Sequence, residues 1–267
     1  MNKIDLFIKY IRNNRIIEYE NIIESAIANN YKVISLRDYI TKKYNNKILV
    51  LRHDVDHKSK GTRLMFEIEK RYGVTSSYYF RNSTVNSTLI HEIEEYGSEA
   101  SLHFETISDY VKEHPEINSK KDLFDSNFLD SCLKKLKKNI IKFRDSFGVP
   151  CVTIASHGEL ENSLVKTPNN YLTEDVSIYE YLGIKLEAYK KGLIDKVTCY
   201  ISDCPIEENS GFKYGITPIQ AIENDEKFIM FLSHPNHWYY NLWRQFKKLV
   251  KVTIRKPLTS KKRFKRI

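Results

Sequence analysis

Glycine and proline are scarce in this chain of 267 residues, at 9 and 7, which excludes collagen-like, linker-rich and low-complexity architectures. The four cysteines, Cys132, Cys151, Cys199 and Cys204, form no CxxC pair and are too sparse for a disulfide-stapled secreted scaffold. They read as reduced thiols, and a zinc site on Cys199 and Cys204 has no further ligands nearby in sequence. No stretch approaches the roughly 20 apolar residues that a membrane span needs. The opening residues MNKIDLFIKYIRNN interrupt Ile4, Phe7, Ile8 and Ile11 with Asp5, Lys9 and Tyr10. They therefore lack the unbroken apolar core of a signal peptide, and a cytoplasmic location is the expectation. Also missing are a phosphate-cradling glycine loop and the G-x-S-x-G elbow that would expose Ser156 as a nucleophile.

What is present is a composition with 41% hydrophobic and 12% aromatic residues, enough for a sizeable core. The formal charge of +9 is unevenly placed: Arg255, Lys256, Lys261, Lys262, Arg263, Lys265 and Arg266 carry seven of those charges. The chain before them is nearly neutral, so nucleic-acid binding is not expected. The tail, residues 255–267, is expected to be a solvated end or a contact for anionic lipid headgroups. Residues 1–254 are expected to form one domain, since single barrels of about 250 residues are common.

Short apolar runs alternate with amphipathic segments, without an internal repeat, and this predicts a mostly parallel sheet with helices outside it. Strands are expected at Val33–Ser35, Ile48–Leu51, Ser76–Phe80, Ala100–Phe104, Cys151–Ala155, Ile184–Ala188, Thr198–Ser202 and Phe228–Leu232. Helices are expected over residues 3–13, 16–29, 36–44, 63–72, 85–96 and 128–147, the last stopped by Gly148 and Pro150. Polar residues gather just past the strands: Asp54 and Asp56, Arg81, His103 and Glu105, His157, Asp203, then His234 and His237. In a parallel barrel those strand ends all open on one face, where loops build a site.

The sharpest local signal is ILVLRHDVDH, Ile48 to His57. Asp54 and Asp56 are two apart, so in an extended chain they share a face that His53, Val55 and His57 do not. Two carboxylates at one strand end can divide labour, one holding a metal while the other takes a proton from water. The competing reading has Asp54 capping a turn and Asp56 paired with Arg52 or Arg63. GSEASLHFET places His103 at a second strand end, TIASHG places His157 at a third and FLSHPNHW places His234 and His237 at a fourth. Imidazoles with a carboxylate are typical ligands for zinc and other divalent transition metals.

In order along the chain, RHDVD, GVTSSYYF, LHFE, SHG, YISD and LSHPNHW resemble the motifs of the polysaccharide deacetylase family of carbohydrate esterases, in its branch with an HDVD first motif. The resemblance runs from about Tyr31 to Trp238. It implies a distorted (β/α) barrel of about seven or eight strands and removal of an acetyl group from an amino sugar or glycan precursor. It further implies Asp54 as general base, Asp56 and His103 as metal ligands and His234 as the acid that protonates the leaving group. One position departs: the family's second metal histidine falls four residues after the first, and here that residue is Ile107. His157 is the candidate replacement, with Glu105 as the other.

The expected chemistry is hydrolysis with a divalent metal, zinc foremost, on Asp56, His103 and His157, acting on an N-acetyl group in preference to an O-acetyl group. His53 and His57 are candidates to orient the ligands, Asp203 to orient a catalytic group, and Arg81 to meet an acidic sugar. Trp238, Tyr239, Tyr240 and Trp243 offer either a sugar-stacking surface or core. The departure at Ile107 also fits a catalytically degenerate glycan-binding protein. An amidohydrolase barrel would carry HxH on its first strand, and here three residues separate His53 from His57.

Overall fold

In the computed structural model, residues 15–205 and 209–239 are described. The strands are β1 (Lys32–Ile34), β2 (Ile48–Val55), β3 (Ser77–Phe80), β4 (Glu99–Phe104), β5 (Thr153–Ser156), β6 (Leu186–Glu187), β7 (Cys199–Ser202) and β8 (Phe228–Ser233). All of their ladders are parallel, in the order β6-β5-β4-β3-β2-β8-β7. β8 takes one edge of β2, and β1 and β3 share the other, β1 along Ile48–Val50 and β3 along Arg52–Val55. The result is a curled sheet with helices outside it, a distorted (β/α) barrel whose end strands β6 and β7 are not paired with each other. Across the interior, the Arg52 guanidinium of β2 lies 4.1 Å from the ring centre of Tyr189, just past β6.

Parity along each strand sorts the side chains. From β2, Ile48 and Val50 join Tyr79, Ala155 and Met230 in the barrel interior. Leu49 and Leu51 face outward onto Tyr19, Ile22 and Ile23 of helix α1 (Ile16–Ala28) and Met65 and Ile68 of α3 (Lys60–Tyr72). A second outer cluster lies under α4 (Ser87–Tyr96) and the long α7 (Phe128–Phe147), whose Cys132, Leu136, Ile140 and Phe143 form one buried stripe at helical spacing. Each fully buried Leu, Ile or Phe of that kind contributes roughly 1.5–3 kcal/mol. Gly148 closes α7 at φ 64°, a left-handed conformation that favours glycine.

The eight strands match the sequence expectation, and the boundaries differ for local reasons. β2 runs four residues past Leu51, so Asp54 lies inside the strand and not after it. α3 starts at Lys60 because the Ser59 hydroxyl caps the Gly61 amide, and α4 starts at Ser87 because the Asn86 side chain caps Leu89. α2 (Leu36–Thr41) ends before the expected Tyr44. Helices α5 (Thr106–Glu113) and α6 (Lys120–Asp125) carry too few turns to show clear periodicity and were not expected. The expected helix over residues 3–13, the basic tail, Tyr240 and Trp243 lie outside the described residues.

One glycine is fixed by close approach. A Cβ at Gly61 would sit 2.1 Å from the Pro235 carbonyl oxygen, in the short helix Pro235–Trp238 directly after His234. Gly61→Ala is therefore expected to force backbone apart and to destabilise the fold by about 1–3 kcal/mol. Urea denaturation measures the loss, and NMR shifts at His234 report the displaced loop; a variant as stable as wild type with unchanged His234 signals contradicts this contact.

Candidate metal and acid–base site

The inward parity of β2 continues as Arg52, Asp54 and Asp56. Arg52 donates to both oxygens of Asp54, at 2.9 and 2.7 Å, and both side chains are at most 2% exposed. Burial opposes the Arg52 charge, but Asp54 beside it holds the guanidinium ionised with its pKa raised well above its usual value. The competing sequence reading thus had the right arginine with the wrong aspartate: Asp56 has neither Arg52 nor Arg63 as partner, and Arg63 pairs with Glu92.

Asp56 instead faces two imidazoles. Its Oδ1 lies 3.2 Å from His103 Nε2 and 3.0 Å from His157 Nδ1, and those two nitrogens are 3.2 Å apart. The β4 to β5 ladder explains this convergence, because His103 pairs with Ala155 and the ladder extends through the His157 amide to the Phe104 carbonyl. His103 Nδ1 is 3.0 Å from the Ala155 carbonyl oxygen. A carbonyl only accepts, so the proton is on Nδ1 and the neutral ring turns a lone pair at Nε2 toward Asp56. His157 Nε2 faces the Glu159 carboxylate at 3.3 Å, which leaves its Nδ1 lone pair inward by the same logic.

Asp56 Oδ1 is buried without a hydrogen-bond donor. Burial disfavours its charge, and only protonated His103 and His157 rings donating to it would hold its pKa below the usual carboxylate range; with their lone pairs inward that charge is left unmet. A carboxylate and two inward lone pairs need a positive charge between them. Tetrahedral ligands at about 2.0–2.1 Å from a zinc ion stand roughly 3.3 Å apart, close to the spacing here. The donor set fits a divalent cation with an open position.

Two other groups of histidines and carboxylates lack that deficit. Asp203, fully buried at its side chain, accepts from His234 Nδ1 at 2.6 Å, the His234 amide at 2.8 Å and Trp238 Nε1 at 2.7 Å, with His237 Nδ1 at 3.4 Å. Glu105 and Glu159 share Arg81, each at 2.5 Å. Glu105 is thereby occupied, and His157 rather than Glu105 completes the triad with Asp56. Arg81, the expected contact for an acidic sugar, directs its guanidinium to these two carboxylates. Trp238 is fully buried and donates to Asp203, so it presents no stacking face.

His234 Nε2 points back to within 3.7 Å of Asp56 Oδ2, while Asp54 Oδ2 lies 3.5 Å from His103 Nε2. Burial opposes the His234 imidazolium, but Asp203, with help from Asp56 and Asp54, pushes its pKa up from 6.5 to about 9. It is a proton donor at neutral pH. His53 turns outward, with Nδ1 on Ser233 Oγ at 2.7 Å and Nε2 on Glu69 at 2.8 Å. His57 is exposed. Ile107 is fully buried in the apolar shell under α7, away from Asp56.

Sequence reasoning missed Asn169, whose amide donates to the His157 carbonyl and whose oxygen accepts from the Ile107 and Ser108 amides. Nothing in sequence separates it from the ordinary turn asparagine of a PNN segment. Glu69 was missed as well: it accepts from Tyr19, His53, Ser76 and Tyr78 behind the site.

No family model matches the chain, and no curated protein does. Among solved structures, the chain is similar to the catalytic domain of a peptidoglycan N-acetylglucosamine deacetylase from Eubacterium rectale, at 15% identity and TM-score 0.45, over 82% of this chain and 92% of that one. It is similar to a chitin deacetylase from Colletotrichum lindemuthianum at 15% identity and TM-score 0.39, over 84% and 86%. A CE4 family pseudoenzyme from Bacillus anthracis matches at 11% identity and TM-score 0.42, over 80% of this chain and 63% of that one, under two thirds of its length.

Two outcomes follow from the geometry. In the metal-free protein the His234 imidazole should titrate near pH 9, and Asp203→Asn should lower that value toward 6.5, as read by NMR; an unmoved titration sinks the pairing. Because the folded value is raised, the pair stabilises the fold fully below pH 6.5, and that contribution is lost as pH rises through about 9. Second, Ile107→His should add no metal affinity and should cost about 1–3 kcal/mol by burying an unpaired polar ring; tighter metal binding by that variant contradicts the packing given above.

Proposed function

We propose that this protein is a metal-dependent carbohydrate deacetylase, with Asp56, His103 and His157 as metal ligands, Asp54 as general base and His234 as general acid. The observation that carries the reading is the flanking of one cation-deficient triad by the Arg52-paired Asp54 on one side and the raised-pKa His234 imidazole on the other. Asp56, His103 and His157 would hold a divalent cation, zinc by its donor set, and the chemistry it would supply when bound is polarisation of an acetyl carbonyl and a lowered pKa for water. Asp54 takes the proton from the attacking water, its carboxylate oriented by the two hydrogen bonds from Arg52. His234 Nε2 donates a proton to the departing nitrogen, which favours an N-acetyl over an O-acetyl substrate because an amine leaves poorly without protonation. Asp203 acts through His234, as a positioning residue that keeps it charged and oriented.

The proposed substrate is an acetylated sugar or glycan precursor in the cytoplasm. The basic residues 255–267 are the proposed contact with anionic membrane, and no helix among the described residues is long and apolar enough to cross one.

Elemental analysis paired with deacetylation assays tests the proposal. Purified wild type should hold about one divalent transition metal and release acetate from N-acetylhexosamine oligomers, whereas Asp56→Ala and His157→Ala should lose the metal. Asp54→Asn should keep the metal and lose about 100-fold or more in kcat, the usual scale for removing a general base. Wild type that stays metal-free after reconstitution yet binds glycan points to the degenerate, non-catalytic reading instead.

A further inference from the structure

The two histidines of the triad stand in different surroundings. The Ala155 carbonyl settles the tautomer of His103, since a carbonyl can only accept. His157 instead lies between two carboxylates, with Nδ1 at 3.0 Å from Asp56 Oδ1 and Nε2 at 3.3 Å from Glu159 Oε1. A neutral imidazole has one N–H, and the partner of one nitrogen decides whether the other can bind a metal. With the proton on Nδ1, His157 closes on Asp56 and the triad loses a ligand. With the proton on Nε2, all three ligand atoms face inward unprotonated. We propose that Glu159 is the positioning residue that holds this proton outward, and so makes His157 a metal ligand in a chain whose Ile107 cannot be one. The role rests on the metal-site reading given above and deepens it.

Two features aim Glu159 for the task. Its Oε1, the oxygen that faces His157, also accepts from Arg81 Nη2 at 2.5 Å, and a carboxylate oxygen has lone pairs for two donors. Arg81 is anchored in turn, because the same nitrogen meets Glu105, just past β4, at 2.5 Å. The loop from His157 to Glu159 is braced at both ends by two buried asparagines. Asn169 Nδ2 donates to the His157 carbonyl at 2.6 Å and to Asn162 Oδ1 at 2.9 Å, and that same Oδ1 accepts from the Glu159 amide at 3.0 Å. Asn169 Oδ1 also accepts from the Ile107 amide at 2.7 Å. The segment that lacks a ligand and the loop that supplies one are thus tied at a single side chain.

A carboxylate behind a metal-bound histidine orients the ring and raises its basicity, and losing it costs about 10–100-fold in metal affinity. Glu159 has a second consequence here, because Asp56 competes for the same proton from the inner side. Removing Glu159 leaves Asp56 as the carboxylate facing the ring, so the vacated site is expected to close on itself.

Long-range proton–nitrogen NMR and zinc titration of the full-length, metal-stripped protein test the role together. With the ring neutral, wild-type His157 should carry its proton on Nε2, and Glu159→Ala should move it to Nδ1. Zinc affinity, read by competition with a chelating indicator, should fall about 10–100-fold in Glu159→Ala. Glu159→Gln keeps an oxygen that can accept from Nε2, and should restore the outward proton and most of the affinity. Glu161→Ala, in the short helix Leu160–Leu164, should match wild type in both measurements. Retained circular dichroism and melting temperature in Glu159→Ala separate a lost proton acceptor from a lost fold, and the wild-type tautomer decides the case alone where that variant misfolds.

A proton on Nδ1 in wild type, an unmoved tautomer or unchanged zinc affinity in Glu159→Ala, or no rescue by Glu159→Gln overturns the role. Each of those results leaves the deacetylase reading standing, because wild-type metal content and acetate release decide it separately. A wild type that takes up no zinc sinks that reading instead, whereas the tautomer is read without metal.

Discussion

Charge buried along β2 is the constraint from which the rest of the arrangement follows. Every residue from Ile48 to Val55 is buried, and taking an ionised group out of water costs several kcal/mol unless another charge meets it. The strand therefore brings its own compensation, and parity decides where. Inward, Arg52 neutralises Asp54 two residues along the same strand. Outward, His53 is received by Glu69 of α3, which also gathers the hydroxyls of Tyr19, Ser76 and Tyr78. These two solutions lock β2 against both the barrel interior and its helical shell, and they fix the direction in which Asp56 leaves the strand.

Asp56 is the point at which compensation stops. Asp203 holds three close donors and Glu105 and Glu159 share a guanidinium, whereas Asp56 Oδ1 meets only the lone-pair sides of two imidazoles. The same residue types thus make two kinds of cluster. One is electrostatically complete and serves to hold His234 protonated and in place. The other is incomplete, and a cation is what we propose completes it. Counting histidines and carboxylates within reach of one another does not separate these cases; following each proton to its acceptor does.

Much of this was legible in the sequence because the governing rule is a period of two. The HDVD spacing put Asp54 and Asp56 on one face, and apolar runs ending in His103, His157 and His234 placed the imidazoles on one rim. What the sequence did not disclose depends on contacts between distant segments. Arg52 stands next to His53 in sequence, but only the closed interior shows that it clamps Asp54 and packs on Tyr189. Ile107 looked like a lost ligand; it begins a helix that turns it into the core, and Asn169, over sixty residues later, ties that turn to the His157 loop. Trp238 sits in a motif rich in histidines and aromatics, and its burial against Arg15 at 4.1 Å is invisible without the fold.

The rim is also mechanically continuous. The first turn of α3 contains Gly61, whose missing side chain admits the Pro235 carbonyl. Pro235 follows His234, so the first turn of α3 packs against the segment that carries His234. Close packing makes such a turn stiff, since interiors transmit displacements of even a methylene to their neighbours. The position of His234 over Asp56 is thus set from two directions, by Asp203 through its ring and by α3 through its backbone.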